Sequence, residues 1–139
     1  MTNMPRPTNA LIVDDEAHVR VFVKLLLKQQ GIEQTWEAAN GKEALAMVRL
    51  HNPELVMLDI NLPLLSGLEV LGTLRQERWR QPVIMLTSQS SIKTVLECVN
   101  LGATGYILKH SPKAEAAKAL ADALDGLAEE SEAAEEPGA

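Results

Sequence analysis

Ala10-Leu11-Ile12-Val13-Asp14-Asp15-Glu16 is four apolar residues followed without a break by three acids. The apolar run is continuous rather than alternating, which suits a strand covered on both faces, as in a parallel sheet. Three further runs share the pattern: Leu55-Val56-Met57-Leu58, Val83-Ile84-Met85-Leu86 and Tyr106-Ile107-Leu108. Each stops beside a chemically capable residue, Asp59, Thr87 and Lys109 in turn. A fifth, weaker candidate, Thr35-Trp36-Glu37-Ala38, alternates and fits an edge position.

Helical patterns fill the gaps. Val19, Phe22, Val23, Leu26 and Leu27 recur at helical spacing, with Gly31 as the stop. Asn40-Gly41-Lys42-Glu43 and Ser66-Gly67-Leu68-Glu69 read as capping boxes, the first opening a helix through Val48 and the second the helix of Leu68, Leu71 and Leu74. Ser91 starts a helix ending near Gly102. Ser111 caps another with Pro112 in its first turn, carrying Ala117, Leu120, Ala121 and Leu124. The order is (βα) five times. It predicts an α/β fold, a doubly wound parallel five-stranded sheet between helices. The domain is placed at residues 9–128, after a flexible segment 1–8 and before an acidic tail or linker 129–139.

Composition agrees with one globular domain: 139 residues, 46% hydrophobic and 23% charged. No run approaches the eighteen or so apolar residues of a membrane span. With one cysteine, Cys98, no intrachain disulfide forms, and a cytoplasmic location is expected. Cys98 reads as a small buried residue, His18 and His51 as solvated, and Trp36 and Trp79 as packed near chain edges. The net charge is -6, but five glutamates fall in the last eleven residues, leaving thirteen basic against fourteen acidic side chains elsewhere. There is no basic stripe and aromatics are 3%, so direct nucleic-acid binding is not expected.

Ligands of open α/β sheets bind beyond the carboxyl ends of the strands. Asp14, Asp15, Glu16, Asp59, Thr87 and Lys109 all fall there. Clustered carboxylates repel one another, and a hard divalent cation such as Mg²⁺ relieves this. An aspartate can attack phosphorus, and a metal, a lysine and a hydroxyl stabilise a phosphoryl group in transfer. The set points to an acyl phosphate on an aspartate. Taken alone, Asp14-Asp15-Glu16 also suits a helix N-terminus.

Leu11-Ile12-Val13-Asp14-Asp15-Glu16, Asp59-Ile60-Asn61-Leu62-Pro63 with Gly67, Leu86-Thr87-Ser88 and Gly102 to Lys109 resemble the receiver domain of two-component response regulators, the CheY-like family. The resemblance covers about residues 9 to 125. It implies a flavodoxin-like fold with strand order 2-1-3-4-5. It implies that Asp59 is the phosphoacceptor. Asp14, Asp15, Asp59 and the Asn61 carbonyl would hold Mg²⁺, with Asp15 the direct ligand and Asp14 partly through water. Thr87 and Lys109 would contact the phosphoryl group. Tyr106 would be a switch following Thr87 inward; its plain reading is core filling. The resemblance also implies as partners a sensor histidine kinase or a histidine phosphotransfer protein. A downstream protein or a second copy would meet the face of the Ser91–Gly102 helix, the Tyr106 strand and the Pro112–Leu124 helix. Lys109-His110 departs from the usual Lys-Pro with its cis peptide, and Leu62 and Ser66 stand where methionine and an acid are common.

Two other classes compete. A phosphatase of the haloacid dehalogenase type also uses an aspartate nucleophile and Mg²⁺, but needs a second aspartate two residues on, where this chain has Asn61, and its nucleophile follows the first strand. A flavodoxin-like cofactor binder needs a first loop that welcomes phosphate, which Asp14-Asp15-Glu16 would repel. No enzymatic turnover of an external substrate is therefore expected. About a dozen residues follow the last helix, too few for an output domain. The chain is either a stand-alone receiver or the receiver part of a longer transcriptional regulator.

Overall fold

The computed structural model describes residues 6–88 and 92–134. Five strands, β1 (Asn9–Val13), β2 (Gln34–Ala38), β3 (Val56–Asp59), β4 (Val83–Thr87) and β5 (Gly105–Leu108), alternate with five helices, α1 (Ala17–Gln29), α2 (Gly41–His51), α3 (Gly67–Gln76), α4 (Ile92–Asn100) and α5 (Lys113–Ala134). All strand pairs are parallel, in the order β2-β1-β3-β4-β5.

Alternation along the central strands sends side chains to two separate cores. Ala10, Ile12, Met57, Ile84, Leu86 and Ile107 pack with Val19, Val23, Leu26 and Leu27 of α1 and Leu120 and Leu124 of α5. Leu11, Val13, Val56, Leu58, Val83 and Met85 pack with Ala44, Val48, Val70, Leu71, Leu74 and Cys98 from α2, α3 and α4. The continuous apolar runs of β1, β3 and β4 follow from burial on both faces.

β5 does not share that condition. It is an edge strand in which only Ile107 is buried, while Tyr106 and Leu108 are 44% and 38% exposed. The continuous run there is therefore not a sign of two covered faces, and Tyr106 is not core filling. β2 is the other edge, as its weaker pattern suggests.

The helix ends explain their sequences. Asn40 and Ser66 accept hydrogen bonds from the Glu43 and Glu69 amides. Gly31 and Gly102 take positive φ (+84° and +83°), and each closes its helix with paired backbone bonds of the Schellman type, Ile32 N–H to Leu27 and Ala103 N–H to Cys98. α3 ends in the same way, with Ala or Gly absent and Arg78 at φ +64° in the glycine position. Ser91, the expected cap of α4, lies outside the described residues. Ser111 is not the cap of α5: its hydroxyl donates to the Leu108 carbonyl, and the Pro112 carbonyl accepts the first helical bond, from Ala116. Ala116, rather than Ala117, is the buried residue of that first turn, because the inward face is set by Leu120 and Leu124 four and eight residues on. α5 continues to Ala134, into the acidic segment. Arg6 and Thr8 are tied to Gln30 and Glu54. His51 is not simply solvated. Its ring stacks on Trp36 with centroids 4.5 Å apart.

Candidate functional site

The site lies at the carboxyl ends of β1, β3, β4 and β5. Parallel pairing puts Val13 beside Leu58, Asp59 beside Leu86 and Thr87 beside Leu108, so the residues just past each strand share one rim. Asp14 is fixed through its main chain. Its amide donates to Ala38, and its carbonyl accepts from the Arg20 guanidinium, which also pairs with Glu37. Asp59 is fixed by the turn that follows it. Gly67 folds back so closely that a Cβ would strike the Asp59 carbonyl oxygen, and its amide donates to Ile60. Between them Leu64 takes φ +69° in a three-residue turn closed by Leu65 N–H to the Pro63 carbonyl, a strained γ-turn. The same turn packs on Gly41, where a Cβ would strike Leu65. The demand for glycine at 41 was not legible in the capping box alone.

Carboxylate oxygens of Asp14, Asp15 and Asp59 lie within 4.8 Å of one another. Asp14 and Asp59 are buried and Asp15 is exposed. Lys109 Nζ, itself buried, lies 3.0 Å from Asp14 Oδ2, 3.0 Å from Glu16 Oε1 and 3.2 Å from Asp59 Oδ2. Asp59 Oδ1 accepts from the Asn61 amide at 3.1 Å, while the Asn61 side chain is exposed. Thr87 is buried at the end of β4, and its carbonyl accepts from the Lys109 amide. The Lys109–His110 peptide is trans. Tyr106 is not among this group; it stands on the exposed edge of β5.

Electrostatics follow from that packing. Burial, then repulsion by Asp14, pushes the Asp59 carboxyl up to about 6, against the Asn61 amide and Lys109. Burial works against charge on Lys109 too, but close contacts with Asp14 and Glu16 and the charge of Asp59 outweigh it and hold the ammonium above its usual value. The Lys109 hydrogen bond keeps Glu16 below the usual carboxylate range. Three carboxylates, those of Asp14, Glu16 and Asp59, thus contact one lysine. Asp14 Oδ2 is buried and, despite its ionic contact with Lys109, accepts no directed hydrogen bond. A buried, under-satisfied oxygen among three converging carboxylates fits a hard divalent cation. The lysine contact of Glu16 was not foreseen. The signal was its place directly after Asp14-Asp15, on the rim that also receives Lys109.

Residues 10–121 match the response regulator receiver domain. The chain belongs to that family and is a receiver domain of a two-component response regulator. A Pseudomonas aeruginosa protein named "Putative transcriptional regulator" is 37% identical over 116 residues, covering 81% of this chain and 56% of its own. BvgA of Bordetella pertussis is 38% identical over 100 residues, 72% of this chain and 48% of its own. The chain thus spans about half the length of these curated relatives. Among solved structures, the chemotaxis response regulator CheY4 of Vibrio cholerae superposes with a TM-score of 0.76 at 29% identity, covering 85% of this chain and 99% of that one.

Proposed function

We propose that Asp59 accepts a phosphoryl group from a phosphohistidine of a sensor kinase or phosphotransfer protein, and that the domain then presents an altered face to a partner. The observation that carries this is the buried Asp59 carboxylate with Lys109 Nζ 3.2 Å away and two further aspartates beside it. An Asp59 oxygen attacks phosphorus as the donor P–N bond breaks; the bonding pair leaves with the imidazole, which takes a proton from solvent. Lys109 moves its hydrogen bonds from carboxylate to phosphoryl oxygens. Thr87 donates its hydroxyl to another. Asp14, Asp15, Asp59 and the Asn61 carbonyl would hold Mg²⁺, which would supply charge neutralisation for the phosphoryl oxygens. Asn61 leaves no general acid where a phosphatase of the rival class carries one, so the acyl phosphate persists and no external substrate turns over. The longer relatives favour a chain that serves as the receiver of a transcriptional regulator, working in a reducing cytoplasm; no helix among the described residues is long and apolar enough to cross a membrane.

Incubation with acetyl phosphate and Mg²⁺ tests this. About one phosphoryl group per chain is expected, lost on adding a chelator first and absent in Asp59→Asn. Repeated turnover of a model phosphate ester would instead favour the phosphatase.

A further inference from the structure

Glu16 occupies the N-cap of α1, yet its side chain makes no capping hydrogen bond. Serine, threonine, aspartate and asparagine are preferred there because their short side chains reach back to the first turn. Glu16 reaches outward. Oε1 accepts from Lys109 Nζ at 3.0 Å, and Oε2 lies 3.5 Å from His18 Nε2. Lysine has three N–H donors. In the resting protein the two directed bonds of Lys109 go to Glu16 and Asp59, and the remaining close contact is Asp14.

Resting on the function proposed above, we infer that Glu16 is a positioning residue that restrains Lys109 and sets how readily the site accepts an anionic phosphodonor. Two effects act in the same direction. An incoming phosphoryl oxygen competes with Glu16 for the N–H groups and the placement of the Lys109 ammonium. Glu16 also adds a fourth negative charge to a pocket that must admit an anion. Its side chain is 41% exposed, so the restraint is that of a solvent-screened pair. Its removal should speed uptake roughly two- to fivefold, not by orders of magnitude.

The test uses Glu16→Gln, which keeps the acceptor and removes the charge, and Glu16→Ser, which removes the reach and restores a good cap. Initial labelling rates are measured with acetyl phosphate, a dianion, and phosphoramidate, which carries less charge, at low and high salt. Both variants should label faster than the parent, more so with acetyl phosphate, and the gain should shrink in salt. The Lys109 ammonium resonance should shift in both without phosphodonor, and Glu16→Ser should melt higher. Parental rates with both donors, or slower labelling together with a lower melting temperature, would overturn the inference and leave Glu16 as a structural residue. If the parent itself takes up no phosphate, the functional reading falls and this inference with it.

Discussion

Asp59 is costly to the metal-free protein. Its carboxyl sits at about 6 rather than 3.8 because burial and Asp14 disfavour the charge. Between those values the native form holds a proton that the unfolded chain has released. Stability therefore falls as pH rises from about 4 to about 6, and stays lower above that. At about 1.4 kcal/mol per pH unit, the penalty at pH 7 is on the order of 2–3 kcal/mol. Asp59→Asn should accordingly raise the melting temperature at pH 7 in chelator, and the gain should vanish near pH 4. Thermal unfolding at the two pH values checks this; an equal gain at both would place the cause elsewhere. Asp15→Ala should abolish the Mg²⁺-dependent spectroscopic change with little loss of stability, since Asp15 is exposed. An unaltered Mg²⁺ titration would remove Asp15 from the metal site. The rim positions of Asp14, Asp59 and Lys109 were legible in sequence because a residue just past a parallel strand can go nowhere else. The Glu16–Lys109 contact was not, since it depends on which way a three-carbon side chain turns.

At the level of elements, the same chemistry of helix ends recurs with one misfit. Arg78 occupies a left-handed position at the end of α3 that glycine occupies in α1 and α4. Left-handed backbone costs a non-glycine residue about 1 kcal/mol, and the Arg78 side chain is exposed. Arg78→Gly should therefore stabilise by up to about 1 kcal/mol, less the extra freedom glycine gives the unfolded chain. Denaturant titration measures it, and a loss of stability would show an unseen role for the arginine. Gly67→Ala should do the reverse, because the new methyl meets the Asp59 carbonyl. Capping boxes and glycine stops were readable from local chemistry. β5 was misread because an apolar run on an edge strand looks the same in sequence as one in the middle of a sheet.

Among the described residues, four of the eight exposed large apolar side chains fall on two successive elements, Leu96 and Val99 on α4 and Tyr106 and Leu108 on β5, while Val21, Leu25, Leu50 and Leu64 lie elsewhere. In the proposed switch, phosphate draws Thr87 toward Asp59, and Tyr106 turns inward from its exposed position. A ligand shifts such an equilibrium only through a differential contact, here the Thr87 hydroxyl on a new anionic oxygen. Beryllofluoride with Mg²⁺ should change amide exchange across residues 91–120 in the parent and not in Thr87→Ala. An identical response in both would break the coupling. The five βα units were legible because apolar runs and helical patterns alternate and right-handed crossovers leave few topologies. Which strand lies beside which was carried by the family resemblance rather than by the runs.

The proposed function turns on Asp59 carrying the phosphoryl group. Borohydride reduces an aspartyl phosphate to homoserine, which peptide mass spectrometry can place on the chain. After labelling with acetyl phosphate and Mg²⁺, homoserine is predicted at position 59 and at no other aspartate. Homoserine at position 14 or 15, or a label that survives on a histidine or hydroxyl residue with Asp59 unreduced, would contradict it.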